Sequence, residues 1–269
     1  MVAALLIVTG ARVGSNAAFG HLGALRPTLW RVFALQVVLP LVALAALAGS
    51  GLLDIPFALA VALMLSAPSV TGAPNFAAMV GLDPAPGMRI LVLGTALFPL
   101  TALPVFLLLD PVGGDTFGAL SLSLNLLVAI LLSVGLGFAI RWFRPTLGER
   151  QAQGALDGLA ALLLAVVVVG LMSAIGPLAR TDPATLGAWL LAALGINFGL
   201  VLATLFLCLR FGIAEPAATA VYAGNRNIAL FLIVLPADVA APLMIFIGCY
   251  QVPMYLTPIL LGRLRPLMP

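Results

Sequence analysis

The sequence predicts an all-α integral membrane protein with about nine transmembrane segments. Of its 269 residues, 63% are hydrophobic and only 8% are charged, whereas soluble domains are about half apolar and a quarter charged. So few polar residues cannot cover the surface of a water-soluble fold of this size. Long unbroken apolar runs, such as the one at 159–171, lack the alternation of barrel strands and therefore favour helices.

Apolar runs of roughly 20 residues are long enough to cross the hydrocarbon of a bilayer. The run at 1–11 is too short, and Arg12 follows it, whereas a signal peptide carries its positive charge first. We interpret residues 1–11 as the second half of a first, partial span. Gly, Pro and charged residues delimit the full spans. These are expected near 29–49, 55–80, 88–109, 117–140, 153–178, 184–209, 216–235 and 239–261.

Arginines lie mostly in every second connection between spans, and most aspartates lie in the others. This alternation predicts the orientation of the chain in the membrane. The excess of arginine on one side predicts an outer N-terminus and a cytoplasmic C-terminus, in the inner (plasma) membrane. Only Arg180, close to Asp182, breaks the separation. The inner set is Arg12, Arg26, Arg31, Arg89, Arg141, Arg144, Arg150, Arg210, Arg263 and Arg265, and the outer aspartates are Asp54, Asp110, Asp115, Asp182 and Asp238.

Two of the predicted spans are interrupted near their middle. The first reads LSAPSVTGAPN from Leu65 to Asn75, where Pro removes helical hydrogen bonds. The second reads VYAGNRN from Val221 to Asn227 and places Arg226 at mid-membrane. A charge at that depth costs at least ~2.5 kcal/mol on insertion scales, so it usually faces a cavity or a partner. The alternative is that Pro and Gly only kink these helices, since membrane helices tolerate both.

Each interrupted span is next to last in its half of the chain, and the charge pattern makes the two run in opposite directions. This arrangement is typical of inverted repeats, whose paired broken helices form a binding site at the midplane. The helix ends released there offer free N–H groups and carbonyls. Asn197, on another span, is expected to bond to a neighbouring helix. Candidate binding residues in the two segments are Ser69, Thr71, Asn75, Tyr222, Asn225, Arg226 and Asn227.

Three short motifs resemble those of the bile acid:sodium symporter family. They are APN ending at Asn75, YAGNRN ending at Asn227, and LQVVLP starting at Leu35. The resemblance follows the span order of nearly the whole chain and implies one transporter domain, 1–269, built from a core and a panel. It also implies that Thr95 and Gln251 line the binding site. The core would hold the spans near 29–109 and 184–261, and the panel would hold 1–11 and 117–178.

The chain departs from this family at its sodium ligands. The family's ligands include a Glu and a Gln of the second motif, where this sequence has Tyr222 and Arg226, and Pro74 replaces a Ser before Asn75. A sodium ion beside a buried guanidinium would be repelled. We hypothesise that Arg226 stands in for sodium. It would either hold the broken helices together or bind a carboxylate or sulfonate through its bidentate fork.

The predicted function is secondary-active transport of a small organic anion by alternating access. The expected partners are this solute and the lipid bilayer, not nucleic acid, because no basic stretch interleaves with aromatic residues. No cofactor or metal site is predicted, and coupling to sodium or protons stays open. An intramembrane enzyme is the first alternative, although the sequence offers no nucleophile with a base, paired carboxylates or metal ligands. A membrane scaffold subunit is the second.

Overall fold

The computed structural model describes residues 2–19, 25–52, 56–109 and 116–265. These residues are almost entirely helical and form no β-strand. Within these ranges, six helices are long and apolar enough to cross a membrane, which confirms the predicted class of an all-helical, multi-pass membrane protein. They span Leu25–Gly49, Ala85–Leu109, Thr116–Phe143, Gln151–Thr181, Pro183–Arg210 and Ala237–Leu264.

The helices match the predicted spans to within about one turn, apart from the first segment. That segment is helical as far as Phe19, beyond the apolar run that ends before Arg12. Hydropathy does not mark its end, because a helix can continue past the apolar part of a span. The α-helices are α1 (Val2–Phe19), α2 (Leu25–Phe33), α3 (Leu39–Gly49), α4 (Pro56–Ser66), α5 (Ala73–Met79), α6 (Ala85–Leu109), α7 (Thr116–Phe143), α8 (Arg150–Leu171), α9 (Ile175–Thr181), α10 (Pro183–Arg210), α11 (Pro216–Gly224) and α12 (Ala237–Leu264).

Three of the predicted spans contain non-α segments that matter for the site. A π-helical turn, Ala34–Val38, joins α2 to α3. Residues 67–72 separate α4 from α5, and residues 225–227 separate α11 from a 3₁₀ turn, Ile228–Ile233. The two interruptions therefore fall within the segments that the sequence singled out.

The 3₁₀ turn after the second interruption is anchored in the centre of the apolar core. Phe231 is 1% exposed and packs edge-on against Phe98 and Phe106 of α6, with ring centroids 4.9 and 5.5 Å away. Such edge-to-face pairs add to the gain from burying the rings. The position of the irregular segment is thus fixed by packing on its C-terminal side.

Helix α1 packs backbone to backbone against α7. A Cβ added to Gly137 would lie 2.3 Å from the carbonyl oxygen of Ile7, and one added to Gly10 would lie 2.8 Å from that of Val134. Small residues at such a contact let two helices approach closely and gain van der Waals energy in lipid. Near the C-terminal end of α7, Arg141 donates to the carbonyl of Ala11, and Gln153 of α8 donates to the carbonyl of Arg12, at 3.4 Å each.

Outside the membrane-spanning helices, Asp182 starts α10. Its Oδ1 accepts a 3.0 Å hydrogen bond from the backbone N–H of Thr185. Hydrogen bonds from the side chain and the backbone of Thr185 lower the pKa of this carboxyl. The charged form therefore caps the helix and favours its start at Pro183.

We predict that Gly137→Ala destabilises the protein by about 1–3 kcal/mol, because the added methyl group overpacks the contact with α1. Gly135→Ala is the matched control, since a Cβ at Gly135, on the same helix, meets no atom within 4 Å. The free energy of unfolding in detergent measures both. Equal stabilities of the two variants would contradict the close α1–α7 contact.

Candidate functional site

The two interrupted helices meet at their unwound segments, residues 67–72 and 225–227, which we call the crossing. Ser69 and Arg226 form an isolated antiparallel bridge. The N–H of Val70 donates to the carbonyl of Asn225 at 2.9 Å, and the N–H of Asn227 donates to that of Pro68 at 2.8 Å. Each break thus satisfies backbone groups of the other, as non-helical backbone within a membrane protein requires.

The Arg226 guanidinium is the centre of the crossing. The residue is 1% exposed, and three of its nitrogens donate to backbone carbonyls at 3.0 Å each. Nε bonds to Ala223 and Nη1 to Ala67, at the C-terminal ends of α11 and α4, whereas Nη2 bonds to Leu35 in the π turn. One side chain therefore connects three separate spans.

All three carbonyls are free because a helix is broken or widened beside them. In an α-helix the carbonyl of residue i accepts from the N–H of residue i+4. The N–H of Asn227 bonds to Pro68 instead of Ala223, and the chain after Ala67 is no longer helical. In the π turn, the N–H of Leu39 bonds to Ala34, which leaves the carbonyl of Leu35 free.

The charge of Arg226 is balanced without a carboxylate in the part of the chain that the structure describes. The salt bridges there join Arg12, Arg31 and Arg89 to acidic residues, but not Arg226. The C-terminal ends of α4 and α11 carry partial negative charge, which a cation complements. The Tyr222 ring lies under the guanidinium, with Cζ 4.5 Å from the ring centroid, in cation–π geometry.

A second set of polar side chains ties the α11 break to α10 and α12. Asn225 is fully buried, and its Nδ2 donates to the carbonyl of Val221 at 2.9 Å. Its Oδ1 accepts from Thr257 of α12 at 2.9 Å and from Asn197 of α10 at 3.5 Å. Asn197 and Tyr250 both donate to the carbonyl of Gly224. Asn197 thus makes the interhelical bond that the sequence suggested.

Two buried polar atoms beside this network have no hydrogen-bond partner among the residues that the structure describes. They are Oε1 of Gln36 and the hydroxyl of Tyr222. Both face Gly94 of α6, because a Cβ built there would lie 3.0 and 3.3 Å from them. Gln36 Nε2 donates to the carbonyls of Ser66 and Gly94, at 3.3 Å each. The missing side chain at Gly94 is what lets these two atoms approach α6.

The other candidate residues are distributed between the crossing and two cavities beside it. Ser69 is buried at the bridge, with its Oγ 3.5 Å from the carbonyl of Val70. Thr71, Asn227 and Gln251 line a small cavity that Arg226 also lines, and Gln251 donates to Ile247 within its own helix at 3.0 Å. The structure therefore brings these residues together around the crossing.

A larger cavity of about 180 Å³ lies between α1, α6, α7 and the crossing. Thr71 lines this cavity as well as the small one, and Thr95 belongs to it alone. Apolar side chains form most of its wall. The lining residues are Leu6, Thr9, Gly10, Thr71, Leu91, Val92, Leu93, Thr95, Ala96, Ile130, Leu131, Val134 and Phe138.

Two polar contacts between helices lie on either side of this cavity. Towards one end, Nη2 of Arg12 on α1 donates to Oδ1 of Asn75 on α5 at 3.3 Å. The same Arg12 pairs through Nε with Asp157 of α8 at 2.7 Å. Towards the other end, the Ser123 hydroxyl of α7 donates to the carbonyl of Pro99 in α6. Asn75 is therefore exposed at the edge of the site and not within the crossing.

An ionic cluster near the start of α11 was not foreseen from the sequence. Glu215, which precedes Pro216, pairs with both Arg31 and Arg89. It adopts a φ of 56°, and Nη2 of Arg31 also donates to the carbonyl of Ala214 at 2.8 Å. Both arginines belong to the set that the charge pattern assigns to one side of the membrane. The cluster joins the beginnings of three spans.

Comparison of the chain with models of protein families gives no match, and comparison with curated proteins gives none either. The fold and the crossing therefore define the class: a multi-pass helical membrane protein in which two interrupted helices meet at a buried arginine.

Replacing Arg226 with Met is expected to destabilise the protein by roughly 3 kcal/mol or more, because three buried carbonyls lose a charged donor. Arg226→Lys should recover only part of the loss, since an ammonium is compact and cannot reproduce the planar fork. Arg210→Met, at an exposed end of α10, is the control. Thermal unfolding of the purified variants measures the effect. An Arg226→Met variant as stable as the wild type would contradict the structural role given to Arg226.

Proposed function

We propose that this protein is a secondary-active transporter of a small organic anion and works by alternating access. The observation that carries the proposal is the contact between two interrupted helices at Ser69 and Arg226. Paired broken helices are the usual site of solute and ion binding in transporters built from inverted repeats. The small and the large cavity beside the crossing supply a place for the solute.

The arrangement that we propose has about nine spans, counting α1, in two inverted repeats. The arginine-rich ends would face the cytoplasm of the inner membrane, and the N-terminus would lie outside. This order, and the motifs ending at Asn75 and Asn227, resemble the bile acid:sodium symporter family. As a divergent relative, the protein would move a panel of α1, α7 and α8 against a core that holds the crossing.

Arg226 takes the structural role of a bound cation in this proposal. Its donation to three backbone carbonyls supports the first of the two roles considered for it, that of holding the broken helices together. A sodium ion about 4 Å from the guanidinium would be repelled by about 4 kcal/mol at an effective dielectric constant near 20. Sodium binding at the crossing is therefore disfavoured.

The two polar contacts beside the larger cavity are then candidate gates. Contact of Arg12 with Asn75 would close the cavity towards the cytoplasm, and contact of Ser123 with the Pro99 carbonyl would close it towards the outside. A hydrogen bond to a charged group contributes about 1.5–3 kcal/mol and a neutral one about 0.5–1.5 kcal/mol. Contacts of such strength can break in every transport cycle.

Opening the gates one at a time tests alternating access. A cysteine at Thr95, in a chain without Cys208 and Cys249, reports exposure of the cavity to an impermeant maleimide. We expect Arg12→Ala to speed labelling severalfold from the cytoplasmic side and Ser123→Ala to speed it severalfold from the outside. Ser50→Ala, whose hydroxyl bonds within its own helix, is the control. If both variants speed labelling from the same side, the cavity does not alternate.

Sodium should not stabilise the wild-type protein. In a thermal unfolding series we expect equal midpoints in sodium chloride and choline chloride, because the guanidinium occupies the region that a cation would need. The double variant Tyr222→Glu/Arg226→Gln replaces the positive charge with a carboxylate and should become sodium-sensitive, since a ligand that binds only the folded state raises its stability. A sodium-specific rise in the wild type would refute the role given to Arg226.

A further inference from the structure

The volume of the larger cavity limits the size of a solute. It is partly open and has a volume of about 180 Å³, and an engineered apolar cavity of about 150 Å³ in another protein holds one benzene molecule. A single six-membered ring or a branched chain of similar bulk therefore fits. A steroid, with four fused rings, is larger than this volume and would extend beyond the cavity.

The walls of this cavity limit how polar the body of the solute can be. Three of its lining residues carry hydroxyl groups, and the hydroxyl of Thr9 donates to the carbonyl of Leu5 in its own helix at 2.8 Å. Thr71 and Thr95 remain for a ligand. A polyhydroxylated solute would leave most of its hydroxyls unpaired, and each unpaired group costs roughly 1–3 kcal/mol.

The charge beside the cavity favours one negative charge on the solute. Thr71 is part of the crossing and lines both cavities, and Arg226, Asn227 and Gln251 also line the small one. The carbonyls and the Tyr222 ring that stabilise Arg226 carry no net charge, and no carboxylate pairs with it among the described salt bridges. We therefore expect a positive potential near Thr71, which lines the same small cavity. A single anionic group is stabilised there. A second one would lie against the apolar wall, where an unpaired charge is costly.

From these three observations we infer that the solute is a monoanion whose apolar body is about the size of one six-membered ring. The body would lie among Leu91, Val134 and Phe138, and the anionic group would lie at Thr71. This inference rests on the proposed function, because it treats the cavity as the place where the transported solute binds.

Thermal stabilisation of the purified full-length protein tests the inference with chosen probes at constant ionic strength. Benzoate should bind best. Benzamide, of the same shape but neutral, should bind about tenfold more weakly or worse, which corresponds to about 1.4 kcal/mol. Phthalate, gluconate and cholate, which add a second charge, several hydroxyls and a steroid body, should not stabilise the protein. Stronger stabilisation by any of these three than by benzoate would overturn the inference.

Two variants test whether benzoate binds in this cavity. Val134→Phe from α7 and Ala96→Leu from α6 each fill part of it, and should weaken benzoate binding at least about tenfold while smaller propionate still binds. Val128→Phe, on the exposed face of α7, is the control and should bind benzoate like the wild type. Unchanged benzoate binding in both filled variants would refute the site.

The outcome is separable from that of the transport proposal. Failure of every probe to stabilise the wild type would overturn the solute class, whereas the labelling of the Thr95 cysteine would still decide whether the cavity alternates. A second outcome is that benzoate binds but both gate variants speed labelling of the Thr95 cysteine from the same side. It would support the binding site and refute transport.

Discussion

Backbone carbonyls left free inside a membrane-spanning region are the constraint on which this structure depends. Lipid offers them no hydrogen bond, so each broken helix must find its partners within the protein. Here the partner is the guanidinium of Arg226, which donates hydrogen bonds to one carbonyl of each interrupted helix and to a third in the π turn. The breaks and the buried charge compensate each other, because each would be costly alone.

A cationic side chain differs from a bound ion because it cannot dissociate from the protein. An ion at the same place could leave, and the crossing would then be held together only when the ion is present. Arg226 cannot leave, so the contact between residues 67–72 and 225–227 persists whatever the ionic conditions. In a transporter, the site would therefore keep its structure whether or not an ion gradient is present. Coupling, if the protein uses an ion, would have to involve groups outside the crossing.

The polar groups around the crossing serve mainly to fix its shape. Asn197, Asn225 and Thr257 bond to one another and to freed backbone, and all are fully buried. Networks in which members satisfy one another rigidify a site. The cavity of about 180 Å³ lies on the other side, against α1, where α1 and α7 approach each other closely at Gly10 and Gly137.

The sequence by itself determined the helical class, the approximate positions of most helices and the two interruptions, because these follow from local composition. It also singled out Arg226, since a charge in an apolar run is visible without a fold. Only the tertiary structure decided which carbonyl of the π turn Arg226 takes, that Glu215 joins Arg31 and Arg89, and that Gly10 meets Gly137. These contacts join residues far apart in the chain, and hydropathy and helix periodicity carry no information about such pairs.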